Sequence, residues 1–183
     1  MNQKLPHTIQ NCVGEELTFQ SIVSAGDEKR ILVHASCKPG AGPAMHVHFR
    51  QDESLTVRKG KMGYQILGEA PKVCEVGETI LFPRGTPHKF WAADGIDLEM
   101  EGWIQPVDNI VFYLSAIYAA QNASGKAQPE AFDGAYLATR YKSEYDVPEI
   151  PAFVKKVIFP ITIFIGKLLG KYKKFKDAPA PLV

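Results

Sequence analysis

Gly40-Ala-Gly-Pro-Ala-Met-His46-Val-His48-Phe-Arg-Gln-Asp-Glu53-Ser-Leu-Thr-Val-Arg-Lys-Gly60 is the stretch on which the reading of this chain turns. Histidines two residues apart on a β-strand point their imidazoles to the same side. Glu53 follows His48 by five residues, enough chain to pass a short turn and return beside them. A fourth candidate, His88, closes Gly77-Glu-Thr-Ile-Leu-Phe-Pro83-Arg-Gly85-Thr-Pro87-His88. Three neutral nitrogens and one carboxylate form a donor set suited to a divalent transition metal.

Around these two segments the chain reads as short strands broken by turn residues. Leu17 to Val23, Arg30 to Cys37, Glu53 to Lys59, Met62 to Leu67, Thr79 to Phe82, His88 to Ala92 and Leu98 to Ile104 carry strand-like patterns. Gly26-Asp27, Lys38-Pro-Gly40, Gly60-Lys61, Gly68, Gly77, Pro83-Arg-Gly85 and Asp94-Gly95 separate them. Strands at such intervals, with no helical pattern between them, predict a mainly β antiparallel sandwich or barrel. After Gln105-Pro106 the period changes. Asp108 is the expected N-cap of a helix over Asn109 to Ala120, with Ile110, Tyr113, Leu114, Ile117 and Tyr118 at helical spacing. A polar loop is expected over Gln121 to Gln128, a second helix over Pro129 to Arg140 and a third apolar segment over Phe153 to Phe175.

The spacing of the two segments fits G-x5-H-x-H-x4-E-x6-G and G-x5-P-x-G-x2-H throughout. In these motifs the chain resembles the cupin superfamily, and the short stretch between Gly60 and Gly77 is similar to that of small single-domain bacterial cupins. The resemblance covers roughly residues 30 to 104. It implies an antiparallel double-stranded β-helix (the cupin jelly-roll barrel) over residues 1–105; the helical pattern beyond it gives an extension over 106–183, expected to pack on the barrel or at a dimer interface. It further implies that His46, His48, Glu53 and His88 hold one divalent transition metal: Fe, Mn, Ni, Cu or Zn. Ala92 stands where the family usually has Asn, a departure that bears on local turn geometry more than on ligation.

Such an ion usually keeps a position open for water or substrate. The expected activity is metal-dependent chemistry on a small molecule, dioxygenase-like, with Glu53 also able to shuttle a proton if it leaves the metal. The alternatives are a non-redox isomerase or lyase using the ion as a Lewis acid, and a non-enzymatic ligand-binding or sensing module. Leu55, Val57, Phe82, Phe90 or Trp91, and Met62 or Tyr64 are candidates for an apolar lining, or are simply barrel core. Arg84 is a candidate contact for an anionic substrate at the barrel mouth, and His34 a candidate neighbour of the ligands.

Composition bounds the partners. The net charge of +1 over 183 residues names no acidic or basic partner. Between Ile150 and Lys176, however, there are seven lysines and no acid, which makes the body acidic and the tail basic. No nucleophile elbow, P-loop or nucleic-acid motif is present, so no nucleic-acid partner is expected. Cys12, Cys37 and Cys74 have no CxxC spacing and read as reduced packing residues on strands. The start of the chain has no apolar signal-peptide core, so a cytoplasmic location is expected, and the Asn122-Ala-Ser124 sequon then has no role. Phe153, Val157, Ile161, Phe164, Leu168, Tyr172 and Phe175 form one apolar helical stripe with lysines largely opposite, and Pro160 is expected to kink or restart that helix. The stripe suits a homodimer interface or the barrel surface, with weak membrane-surface contact through 153–176 as the other use.

Overall fold

Runs of alternating apolar and polar residues, each ended by glycine or proline, give ten strands before the first helix. They are β1 (His7–Gln10), β2 (Glu15–Ala25), β3 (Glu28–Cys37), β4 (Val47–His48), β5 (Asp52–Lys59), β6 (Met62–Ile66), β7 (Lys72–Cys74), β8 (Thr79–Phe82), β9 (His88–Ala92) and β10 (Leu98–Gln105). Helices α1 (Ile110–Ser124) and α2 (Ala131–Arg140), strand β11 (Tyr145–Asp146) and helix α3 (Phe159–Leu168) complete the chain. This computed structural model describes residues 4–183; Met1 to Gln3, part of the segment read as lacking a signal peptide, lie outside the described residues. All seven expected strands are present. The others, β1, β4, β7 and β11, have four residues or fewer, too short for alternation to stand out in sequence.

The strands form an antiparallel jelly roll. A six-stranded sheet runs β1-β2-β3-β10-β5-β8, and a three-stranded sheet runs β7-β6-β9. Period-two burial on β3 places Ile31, Val33, Ala35 and Cys37 inward and His34 on the other face. Phe19, Val33, Leu55 and Met100 from the larger sheet and Met62 and Phe90 from the smaller one share a single core. The segment before β4 is drawn against β9 by two bridges, Pro39 to Ala92 and His46 to His88. Gly42 permits this approach, because a Cβ there would collide with the Phe90 backbone. Ala92 is buried; its N–H donates to the Ala41 carbonyl and its carbonyl accepts from Gly40, so backbone bonds hold the turn without the usual Asn side chain.

The helical part departs from the expected boundaries in ways that have local causes. Asp108 does not cap α1: it sits at φ 40° and pairs with Arg50 at 3.1 Å. Asn109 takes the N-cap position, but its side chain reaches Glu144 and the Ala180 carbonyl instead of the helix N–H groups. The helix then runs on through Gln121 to Ser124, into the expected loop, until Gly125 at φ 67° stops it. At α2, Glu130 accepts from the Asp133 N–H and caps the start. Pro160 neither breaks nor restarts the third helix. It lacks the N–H that would bond four residues back, and the chain widens into a π-helical turn over Val154–Ile158 before continuing as α3. Cys37 and Cys74 are buried as expected, whereas Cys12 lies exposed in the turn between β1 and β2.

Ile110, Tyr113, Leu137, Tyr141 and Tyr145 belong to the same core as the strands. Tyr113 stacks on Tyr145 with centroids 4.0 Å apart and meets Tyr141 edge-on. Because Leu137 is wholly buried in that shared core, Leu137→Ala should cost about 2–5 kcal/mol. Denaturant unfolding followed by tyrosine fluorescence and by far-UV circular dichroism should then give one coincident, down-shifted transition. Separate transitions for strands and helices would contradict a shared core.

Candidate metal centre

The sequence positions of the two motifs become one place through backbone pairing. The His46 N–H donates to the His88 carbonyl at 2.9 Å, and the His88 N–H donates back to His46 at 2.8 Å. His48 ends β4, Glu53 lies in β5, and β4 is in turn paired to β11, with Val47 opposite Asp146 and His48 opposite Tyr145. The structure therefore brings together all four residues singled out in the sequence. One ligand atom each from His46, His48 and Glu53 lies within 4.8 Å of the others. The His88 ring is 4.5 Å from that of His46, and its Nε2 is 3.2 Å from Glu53 Oε2.

Neighbouring groups fix how these side chains are presented. His46 Nδ1 lies 2.8 Å from the Ala44 carbonyl and His88 Nδ1 2.8 Å from the Thr86 carbonyl. A carbonyl can only accept, so each Nδ1 carries the hydrogen, and in a neutral ring each Nε2 is left as a lone pair. For His88 that lone pair meets the Glu53 carboxylate, acceptor against acceptor. A cation held between them would resolve the conflict. His48 Nδ1 is buried with no hydrogen-bond partner among the described residues. Phe82 lies flat against His88, ring centroids 4.0 Å apart and 4° from parallel, which fixes the plane of that imidazole. Tyr145 meets His48 edge-on and accepts from the Gln51 amide at 3.2 Å.

The electrostatics match this donor set. Burial holds His46 down at about 3, helped by His88 and His48, and His48 at about 4, helped by His88 against the opposing pull of Glu53. Both rings are therefore neutral, the form that binds metal. Burial pushes the Glu53 carboxyl up; a hydrogen given by His88, or a cation in its place, together with charge on the surrounding imidazoles, outweighs burial and brings it to about 2. The result is a buried carboxylate among neutral nitrogens, costly without a counter-charge. The His46, His48 and Glu53 cluster could hold a metal ion, with His88 in contact with its carboxylate.

The cluster opens on a cavity of about 180 Å³. Leu17, Val33, Leu55, Phe90 and Ile104 supply barrel walls, and Tyr113, Ile117, Tyr118 and Gln121 of α1 cover them from the helical side. Of the expected lining residues, Leu55 and Phe90 are there. Phe82 is spent on His88, Met62 and Val57 are core outside the cavity, Tyr64 stands edge-on to Phe82, and Trp91 turns to the far face of β9, against Gly63. Arg84 is not at the cavity: it is an exposed partner of Asp52 at 2.8 Å, and its hydrogen bond holds that carboxyl below its usual range. His34 is outside the cavity as well, because Val33 and Ala35 take the inward positions on β3.

One cavity residue escaped the sequence reading. Glu15 is buried in the wall, takes a hydrogen bond from Asn11 Nδ2 at 2.8 Å and lies beside the Tyr118 hydroxyl. Burial raises its pKa against the pull of both donors, and it also helps burial to push the Cys37 thiol up to about 12. The signal was present in sequence. Glu15 is in phase with Leu17 and Phe19, so a strand begun two residues earlier puts a carboxylate on the core face.

Residues 33–101 match the family model of the cupin domain. A probable oxidoreductase of Hypocrea virens, virH, is 34% identical over 68 residues, which are 36% of this chain and 31% of that protein. The oxidoreductase iacF of Pestalotiopsis fici is 33% identical over 67 residues, 36% of this chain and 33% of that one. The chain thus spans about a third of the length of the curated relatives it matches. Among solved structures, KdgF from Halomonas sp. aligns with a TM-score of 0.43 and 22% identity, over 53% of this chain and 84% of that one. The two motifs, folded into one histidine-rich centre, both lie across the residues that match the cupin domain, and that match supports the cupin superfamily for residues 33–101 of this chain.

Proposed function

We propose that this protein is a metal-dependent enzyme of oxidoreductase type acting on a small, largely apolar molecule, dioxygenase-like in its use of dioxygen. His46, His48, Glu53 and His88 would hold one divalent transition metal. The observation that carries the reading is a cluster of three histidines and one carboxylate, buried except for a half-buried His46, at a mainly apolar cavity, with the Nδ1 atoms of His46 and His88 each held by a backbone carbonyl. The two relatives named as oxidoreductases, each matching 36% of this chain, support it. When bound, a redox-active ion supplies electron transfer to dioxygen, and any such ion supplies Lewis acidity.

The chain's own residues account for selection and exclusion. The cavity volume is close to the roughly 150 Å³ of an apolar cavity that takes up benzene, so a single ring or a short chain is the size class that fits. Leu55, Phe90, Ile104 and Ile117 remove water from the substrate body. Tyr113, stacked on Tyr145, closes the space near the ligands. Glu53, if it leaves the metal, is the group nearest to it that can move a proton. A second reading, non-redox isomerisation or elimination, is favoured by Glu15. Its raised pKa and place beside Tyr118 in the cavity wall give a proton-handling carboxyl on the same cavity as the metal cluster.

Elemental analysis of the gently purified protein should find about one divalent transition metal per chain, and His48→Ala or Glu53→Ala should lower occupancy by tenfold or more. Iron, manganese, copper or nickel supports oxygen chemistry, and zinc supports the Lewis-acid reading. No metal, with none taken up on titration, would sink both.

The pH response of the metal-free protein follows from the same groups. His46 and His48 stay neutral in the fold down to about 3 and about 4, whereas unfolded histidines take up a proton near 6.5. The unfolded chain binds more protons between those values, so stability falls as pH drops below about 6.5. Glu53 acts in the same direction lower down: its contribution is present above 4.5 and is lost as pH falls toward 2. Urea midpoints of chelator-treated protein should decline steadily from about pH 7 to about pH 4; a flat profile would contradict the burial argument.

A further inference from the structure

Helix α3 and the π-helical turn before it expose eight large apolar side chains between Phe153 and Leu169. Phe164 is 63% exposed and Leu168 73%, values unusual for side chains of this size. The opposite side of the helix is occupied: Gly166 is buried against Tyr172, and the helix packs along α2. The apolar stripe expected from the sequence therefore divides. After Gly170, at φ 67°, Tyr172 and Phe175 turn inward and stack on Tyr136, at 4.8 and 4.7 Å, while the stripe from Phe153 to Leu168 faces outward with no partner among the described residues.

Charge says what kind of surface fits this face. The segment from Ile150 to Lys176 has seven lysines and no acid. Lys155 is held by Asp146 and Lys174 by Asp133, which leaves Lys156, Lys167, Lys171, Lys173 and Lys176 without an ion pair among the described residues. Two copies meeting through this lysine-rich segment would bring like charges near one another, which opposes self-association. An anionic lipid surface complements both features, taking the apolar side chains into its headgroup boundary and the lysines among its phosphates. No helix of the described residues is long and apolar enough to cross a membrane, so the element would lie in the interface.

We propose that the 153–176 segment is an interfacial membrane anchor that seats the protein on anionic lipid. The test is flotation of the full-length protein with vesicles of phosphatidylcholine alone and with about 30% phosphatidylserine, alongside light scattering of the protein in solution. Binding should be at least about tenfold stronger to the anionic vesicles and should weaken in high salt. A Phe164→Ser, Leu168→Ser double variant, checked for an unchanged melting temperature because both sites are exposed, should lose about tenfold or more. Lys156→Glu with Lys167→Glu should lose the preference for anionic lipid. No flotation with either vesicle would overturn the proposal. So would flotation indifferent to the serine substitutions, or a dimer that those substitutions dissociate in the absence of vesicle binding.

Discussion

The buried charge of Glu53 is the constraint around which the site is built. A carboxylate in an apolar core has to be met by donors or by a cation, and two of the imidazoles beside it, His46 and His88, have already given their one neutral-form hydrogen to backbone carbonyls. The carbonyls of Ala44 and Thr86 enforce this by taking the Nδ1 hydrogens of His46 and His88. Phe82 then prevents His88 from turning away. A centre set up in this way is poorly satisfied as a purely structural polar cluster and well suited to a divalent ion.

The helical extension is coupled to that centre instead of standing apart from it. β11 pairs with the strand that carries His48, Tyr145 buttresses the His48 ring, and α1 roofs the cavity with Tyr113, Ile117 and Tyr118. The same residues are in the common core, so closing the cavity and stabilising the fold are one packing event. Further along, the chemistry reverses. α3 spends one side on α2 and leaves the other apolar and exposed, at the edge of a lysine-rich segment with no acids.

Much of this was legible in the residues. The glycines of the two motifs take the positive φ their spacing implied, as at Gly60, where a Cβ would also come within 2.8 Å of the Asp97 carbonyl. His34, a candidate neighbour of the ligands in sequence, lies on the other face of β3 because Val33 and Ala35 take the inward positions. The departures arise where a side chain had a competing partner. Asp108 reads as a helix cap but is taken by Arg50, and Arg84 reads as a substrate contact but is taken by Asp52. Glu15 was missed because its strand was begun too late.

The sequence by itself determined an antiparallel sandwich or barrel, four candidate metal ligands and the basic, apolar character of the tail, and the resemblance of its two motifs to cupins implied the jelly roll. The strand pattern and the motif spacing lie along the chain, where local period and turn chemistry record them directly. Tertiary structure alone decided that α1 covers the cavity, that Tyr145 supports His48, that Glu15 shares the pocket and that α3 turns its apolar side outward. Each of those depends on contacts between residues tens of positions apart, and no local pattern carries that information.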